Sequence, residues 1–177
     1  LNALKDEFEG TIKLIFQPGE EVLPGGASIM IKEGVLENPN VDKILALHVF
    51  PSMDVGRVGF KPGQYMASCD ELYLTVKGKG GHAALPHEYN NPVMIMAELL
   101  PKLESYLSSL SDGKSSYIFA FGKMMADGAT NVIPQTAKAE GTLRTMDEQW
   151  RTDVHKKLER YVADFLTSKN AQGQLHI

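Results

Sequence analysis

Two hydrophobic rhythms divide the chain. Up to about residue 67 short apolar runs are separated by glycine and proline. TIKLIF (11–16) alternates in the manner of a strand, and GGASIMIKEGVL (25–36) spaces Ala27, Met30 and Ile31 at a helical interval. VDKILALHVF (41–50) is a continuous apolar run of the buried-strand kind. Gly34 stands where a helix C-cap is expected, and the NPN that follows Glu37 is turn chemistry. Strand, helix, strand predicts a βαβ unit with parallel strands. Such a piece taken alone leaves apolar faces and strand edges uncovered.

Residues 51–67, rich in Gly and Pro, read as a short extended piece and a linker. Beyond them the rhythm changes. ELYLTVKG places Leu72, Leu74 and Val76 on one face of a strand. A Gly-rich loop follows, then a helix opened by Asn91 and Pro92, with Val93, Met96, Ala97, Leu100, Leu103, Leu107 and Leu110 as its apolar stripe and Pro101 as a kink point. SYIFAFGKM and QTAKAEGTLR alternate as two more strands, Thr145–Glu148 reads as a capping box, and the next helix carries Trp150, Val154, Leu158, Tyr161, Phe165 and Leu166 inward. GQLHI begins a last strand. The order β-α-β-β-α-β is that of a ferredoxin-like split βαβ domain. The expected organisation is therefore α/β plus α+β: a partial catalytic-type piece over 1–67, and a ferredoxin-like domain over 68–177 whose final strand is truncated.

The composition admits a globular core: 177 residues, 43% hydrophobic and 23% charged. A net charge of −4 disfavours general binding to nucleic acid or to a membrane surface, and the chain lacks the aromatic pattern of an RNA-binding version of this fold. One cysteine, Cys69, permits no internal disulfide. No apolar run approaches the ~20 residues of a membrane helix. Cytoplasm is the default compartment.

The candidate chemistry begins at QPGEE (17–21). Glu20 and Glu21 follow the carboxyl end of the first expected strand and His48 lies near the carboxyl end of the second, the edge at which open parallel sheets place their sites. Adjacent carboxylates repel, and a divalent cation relieves that repulsion. One acid could bind the metal while the other takes a proton from an activated water. Spacing alone leaves a second reading open and favours it: a solvated acidic turn beside an ordinary strand histidine.

A series of motifs shifts that balance. GTIKLIFQPGEE, GGASIMIKEGVLE, ALHVFP, VGFKPGQYMASCDELYLTVKGKGGHAALPH, TNVIP and GTLRTMD occur in one order. Together, over residues 10 to 150, they resemble the amidohydrolase branch of the aminoacylase/carboxypeptidase metallopeptidase family, which includes N-acyl-amino-acid, hippurate and auxin-conjugate hydrolases. The resemblance implies a catalytic domain holding two divalent metals (zinc, manganese, cobalt or nickel), and a ferredoxin-like lid that dimerises. It implies Glu20 as general base, Glu21 and His48 as metal ligands, and His82 as a donor to the substrate carbonyl in a neighbouring subunit's site. Asn131 and Arg144 would hold the polar end of an N-acyl amino acid or a similar peptide-like molecule. The family's upstream Cys-Gly-His-Asp ligands and its last downstream histidine ligand are absent. The chain therefore reads as an incomplete piece, inactive by itself, of a homodimeric enzyme. The alternative is a ferredoxin-like module that only dimerises or binds.

Overall fold

The structure, a computed structural model, describes residues 2–21, 25–111, 113 and 116–177. The chain divides into two compact units, Leu1–Val58 and Gly59–Ile177, each considered by itself.

In the first unit the helix α1 covers Gly26–Lys32. Gly34, at φ +79°, follows it in the left-handed conformation; its N–H donates to the Ile31 carbonyl and that of Val35 to the Met30 carbonyl. This pair of bonds is a Schellman cap, which satisfies carbonyls the last helical turn leaves open, and glycine adopts the required φ without a Cβ clash. The two flanking strands expected from the sequence do not form. Among the described residues, neither 11–16 nor 41–50 joins a sheet. Their strand-like patterns are real, but a strand exists by pairing its main-chain groups, and among the described residues neither segment meets a partner strand. Their apolar side chains consequently face solvent: Phe16 is 82% exposed, Leu45 92% and Leu47 88%.

The second unit carries a four-stranded sheet. Its strands are β1 (Asp70–Lys77), β3 (Tyr117–Ala126), β5 (Thr136–Thr145) and β6 (Gln172–His176). They lie in the order β3-β5-β1-β6, every neighbouring pair antiparallel. A small separate ladder joins β2 (Gly81–His82) to β4 (Val132–Ile133). The helices α2 (Pro92–Leu110) and α3 (Glu148–Ser168) pack against the sheet and each other.

The core follows directly from the alternation in β1. Leu72, Leu74 and Val76 are wholly buried against Leu99 and Leu103 of α2 and Leu158 and Val162 of α3. Each such side chain contributes about 1.5–3 kcal/mol by leaving water. β5 offers Ala137, Ala139 and Leu143 to the same face, the two alanines letting the helices approach closely. The stripe of α2 is rotated from the sequence expectation. Ile95, Met96 and Leu99 are buried, whereas Ala97 is exposed. On α3 the fully buried line is Val154, Leu158, Val162 and Leu166, with Trp150, Tyr161 and Phe165 covering the core margin.

The helix ends are also specified locally. Asn91 accepts a hydrogen bond from the Val93 N–H at 3.0 Å, with Pro92 at the first helical position. At α3 the cap is Asp147, which accepts from the Trp150 N–H at 2.9 Å. Thr145, read as the cap from its spacing, ends β5 instead; its hydroxyl accepts from the Asp147 N–H and donates to the Ser116 carbonyl. The ladder to β3 runs through Thr145 and holds it extended. The short acid two residues on therefore takes the capping position. The C-terminus of α3 is closed by Asn90, whose side-chain amide donates to the Lys169 and Asn170 carbonyls at 2.9 and 3.0 Å. This ties the Gly-rich loop before α2 to the end of α3.

Candidate functional site

The loop between β1 and α2 is fixed on three sides. The Gly78 N–H donates to the Gln135 carbonyl, and Lys79 and Asn90 exchange both main-chain hydrogen bonds at 2.9 Å. His82 stands opposite Val132 in the β2–β4 ladder, and the Ala83 N–H donates to the Asn131 carbonyl at 3.0 Å. The glycines are required by this folding. A Cβ at Gly78 would fall 2.1 Å from the Asn90 carbonyl oxygen, and one at Gly80 would fall 2.7 Å from that of Ile133. GKGGHAALPH and TNVIP, nearly fifty residues apart in sequence, are thus held together, His82 paired with Val132 and Ala83 bonded to Asn131.

The His82 side chain is exposed, and its Nδ1 accepts a hydrogen bond from the Ala84 N–H at 3.1 Å. In the neutral ring, a nitrogen that accepts leaves the proton on the other one. The Nε2–H of His82 is then a donor with no hydrogen-bond partner among the described residues. An exposed imidazole donor on a rigid turn is suited to a carbonyl oxygen that gains negative charge.

Arg144 is elsewhere. It alternates with buried Leu143 and Thr145 and so projects from the sheet face opposite the helices, beside its register partner Ile118. Leu143 pairs with Asp70 at the start of β1, whereas the loop bearing His82 leaves from Lys77 at the other end, which pairs with Thr136. At ~3.3 Å per residue, β5 separates its Thr136 end from Arg144 by roughly 25 Å. His82 and Asn131 share one end of the sheet, and Arg144 occupies the opposite end.

In the first unit Glu20 and Glu21 lie in an exposed turn, and His48 is exposed. His48 Nδ1 lies 2.6 Å from the Val49 carbonyl oxygen. With Nδ1–H donating to that carbonyl, Nε2 is left bare, which is the form of histidine that binds a metal. Carboxylate and bare imidazole are suitable donor types for a divalent cation. The number of donors is smaller than a closed cage requires. Among the described residues, no group of three or more His, Cys, Asp or Glu side chains is gathered closely enough to hold a metal ion.

One charged cluster was not visible from spacing. Asp70, buried at the start of β1, accepts from Arg151 Nε at 2.7 Å and Nη2 at 2.5 Å, and His155 Nε2 lies 3.2 Å away. Arg151 Nη1 donates to both Glu148 carboxylate oxygens. Burial pushes the Asp70 carboxyl up, but hydrogen bonds and charge from Arg151 and His155 outweigh it and hold the group below its ordinary value. The Asp70 hydrogen bond in turn raises the Arg151 guanidinium. These two residues, 81 apart in sequence, join β1 to α3. Every charge in the cluster is paired inside the fold, so its role is structural. On the open sheet face Lys123 and Glu140 pair at 3.0 Å in a shallow hollow that also includes Glu71 and Tyr73. Tyr73 donates to Glu71 there.

Comparison with known proteins places these features in a family. The chain is 33% identical over 159 residues to the N-acyl-L-amino acid amidohydrolase of Geobacillus stearothermophilus, covering 90% of this chain and 42% of that protein. It is 32% identical over 174 residues to an N-acetylcysteine deacetylase of Bacillus subtilis, covering 98% and 45%. Among solved structures, a protein of methicillin-resistant Staphylococcus aureus described as a "putative aminohydrolase" superposes with a TM-score of 0.84 at 30% identity, over 98% of this chain and 46% of that one. The Bacillus subtilis YXEP protein, described as a dinuclear metal binding peptidase, gives 0.64 at 27% identity, over 91% and 38%. The chain thus spans less than half the length of these relatives. The sequence profile of peptidase family M20/M25/M40 matches residues 1–168, and the chain belongs to that family.

Proposed function

We propose that this chain is part of a metal-dependent amidohydrolase that cleaves the amide bond of N-acyl amino acids. The observation that carries the reading is the match to relatives named for this hydrolysis, which extends over 90–98% of the chain and spans every candidate residue from Glu20 to Arg144. Glu21 and His48 would hold the cation, with the remaining donors supplied from outside these 177 residues. A bound divalent metal supplies the Lewis acidity that makes water a nucleophile near neutral pH.

The protein's own groups divide the remaining work. Glu20 takes the proton of the attacking water and passes it to the departing amine. His82 Nε2–H donates to the scissile carbonyl oxygen as charge develops on it, a contribution of about 10²–10³ in rate for one well-placed donor. Arg144 pairs with the substrate carboxylate in the two-pronged geometry a guanidinium offers, and Asn131 supports the polar end. A small N-acyl amino acid cannot reach both ends of a sheet roughly 25 Å apart. A single copy of the second unit thus cannot present all three residues to one substrate, and we assign His82 and Asn131 to one copy and Arg144 to another.

The second unit is read as a ferredoxin-like lid. The antiparallel order β3-β5-β1-β6 with two helices supports that reading. β3 is a 10-residue apolar edge strand, which suits pairing with a second copy. The lid also has a complete core, which favours a module that binds without catalysis as the competing reading. Replacing Glu20 by Gln, in the protein carrying this chain within the length of its relatives, separates the two. A loss of about 10²–10⁴ in kcat with metal content unchanged is expected. Full activity in that variant would remove the assignment of Glu20.

A further inference from the structure

We infer that the main-chain N–H of Ala84 is a positioning group that selects the tautomer of His82. The Ala84 N–H points at His82 Nδ1 from 3.1 Å. A proton on Nδ1 would bring two donors face to face, so the folded loop accepts the ring with Nδ1 bare and Nε2 protonated. The loop cannot relax away from this contact easily. Ala83 on one side of Ala84 is bonded to Asn131, Leu85 on the other donates to the His82 carbonyl at 2.9 Å, and the Lys79–Asn90 bridge closes the base. Among the described residues no other hydrogen bond engages the His82 ring, which leaves Nε2–H free for an external acceptor. One main-chain hydrogen bond biases such an equilibrium on the order of tenfold. Its catalytic meaning rests on the reading of His82 as a carbonyl donor; the tautomer itself does not.

The test is long-range ¹⁵N–¹H correlation on the 177-residue chain labelled at histidine, at a pH where the rings are neutral, with His82→Gln to assign the signals. The ratio of the Nε2–H to the Nδ1–H form of His82 should exceed that in the same chain unfolded in urea by about tenfold. Ala84→Pro, which lacks the N–H, should return the ratio toward the unfolded value, and Ala84→Gly, which keeps it, should not. An unchanged ratio between folded and unfolded wild-type chain, or a dominant Nδ1–H form, would overturn the inference, and this comparison stands even if Ala84→Pro does not fold. A confirmed Nε2–H tautomer combined with a fully active His82→Gln enzyme would instead reject the catalytic reading while leaving the tautomer assignment intact.

Discussion

Arg151, one turn into α3, grips Asp70 at the start of β1 with two parallel hydrogen bonds, Nε at 2.7 Å and Nη2 at 2.5 Å from the carboxylate oxygens. The Asp70 side chain is only 7% exposed and that of Arg151 27%. Removing one partner leaves the other desolvated, which costs more than the pair itself contributes. Asp70→Ala should destabilise the chain by about 2–4 kcal/mol, below the range for fully buried pairs because Arg151 keeps Glu148 and some water. Urea denaturation measures this directly, and a loss comparable to that of an exposed ion pair would contradict it.

The same pair sets a pH dependence. The Asp70 carboxyl lies below its ordinary value in the folded chain, so it contributes stability at pH above the usual carboxylate range. That contribution is lost progressively as pH falls through the ordinary value and on through the depressed one. Below both it is gone. The wild-type chain should therefore lose more stability than Asp70→Asn between neutral pH and about pH 3. Equal slopes in the two chains would show that the pair does not titrate as described.

Asp147→Ala should cost about 1 kcal/mol, the usual value for losing a helix cap. The corresponding loss at Thr145 has another origin, since its hydroxyl bridges the Ser116 carbonyl and the Asp147 N–H. Thermal melts of the two single variants and the double variant distinguish these roles. Adjacent, coupled residues should give a double-variant cost that departs from the sum.

The exposed apolar segments of the first unit should make the 177-residue chain bind a hydrophobic dye and associate. Leu45→Ser combined with Leu47→Ser should reduce both, with little change in the melt of the second unit, because these side chains are 92% and 88% exposed. The same chain should hydrolyse N-acyl amino acids negligibly even with added metal, since no group of three or more donors is gathered among the described residues. Metal-dependent turnover by a purified, sequence-verified sample would refute this.

Most of the second unit was legible because its patterns are consistent over several turns or rungs. Leu72, Leu74 and Val76 at period two, and the Asn91–Pro92 start of α2, are local signals that the tertiary structure respects. What failed was pattern without a partner. TIKLIF and VDKILALHVF alternate or run apolar as strands do, yet main-chain pairing decides whether a strand exists, and no sequence window contains its partner. The same limit hid the Asp70–Arg151 pair, whose members are 81 residues apart, and the Ala84 N–H, since a main-chain group leaves no mark in the residue code. Motif points to His82 and Asn131, and the fold brings their segments together through the β2–β4 ladder and the Ala83–Asn131 hydrogen bond. It also separates them from Arg144, which motif order could not reveal.

That separation is tested most directly by mixing subunits of the protein carrying this chain within the length of its relatives. His82→Gln and Arg144→Met should each be nearly inactive alone. Co-expressed, they should recover roughly a quarter of wild-type activity, because half of randomly paired dimers are mixed and each has one intact site built from two copies. Mixed subunits no more active than the separate variants would contradict the division of the site between subunits.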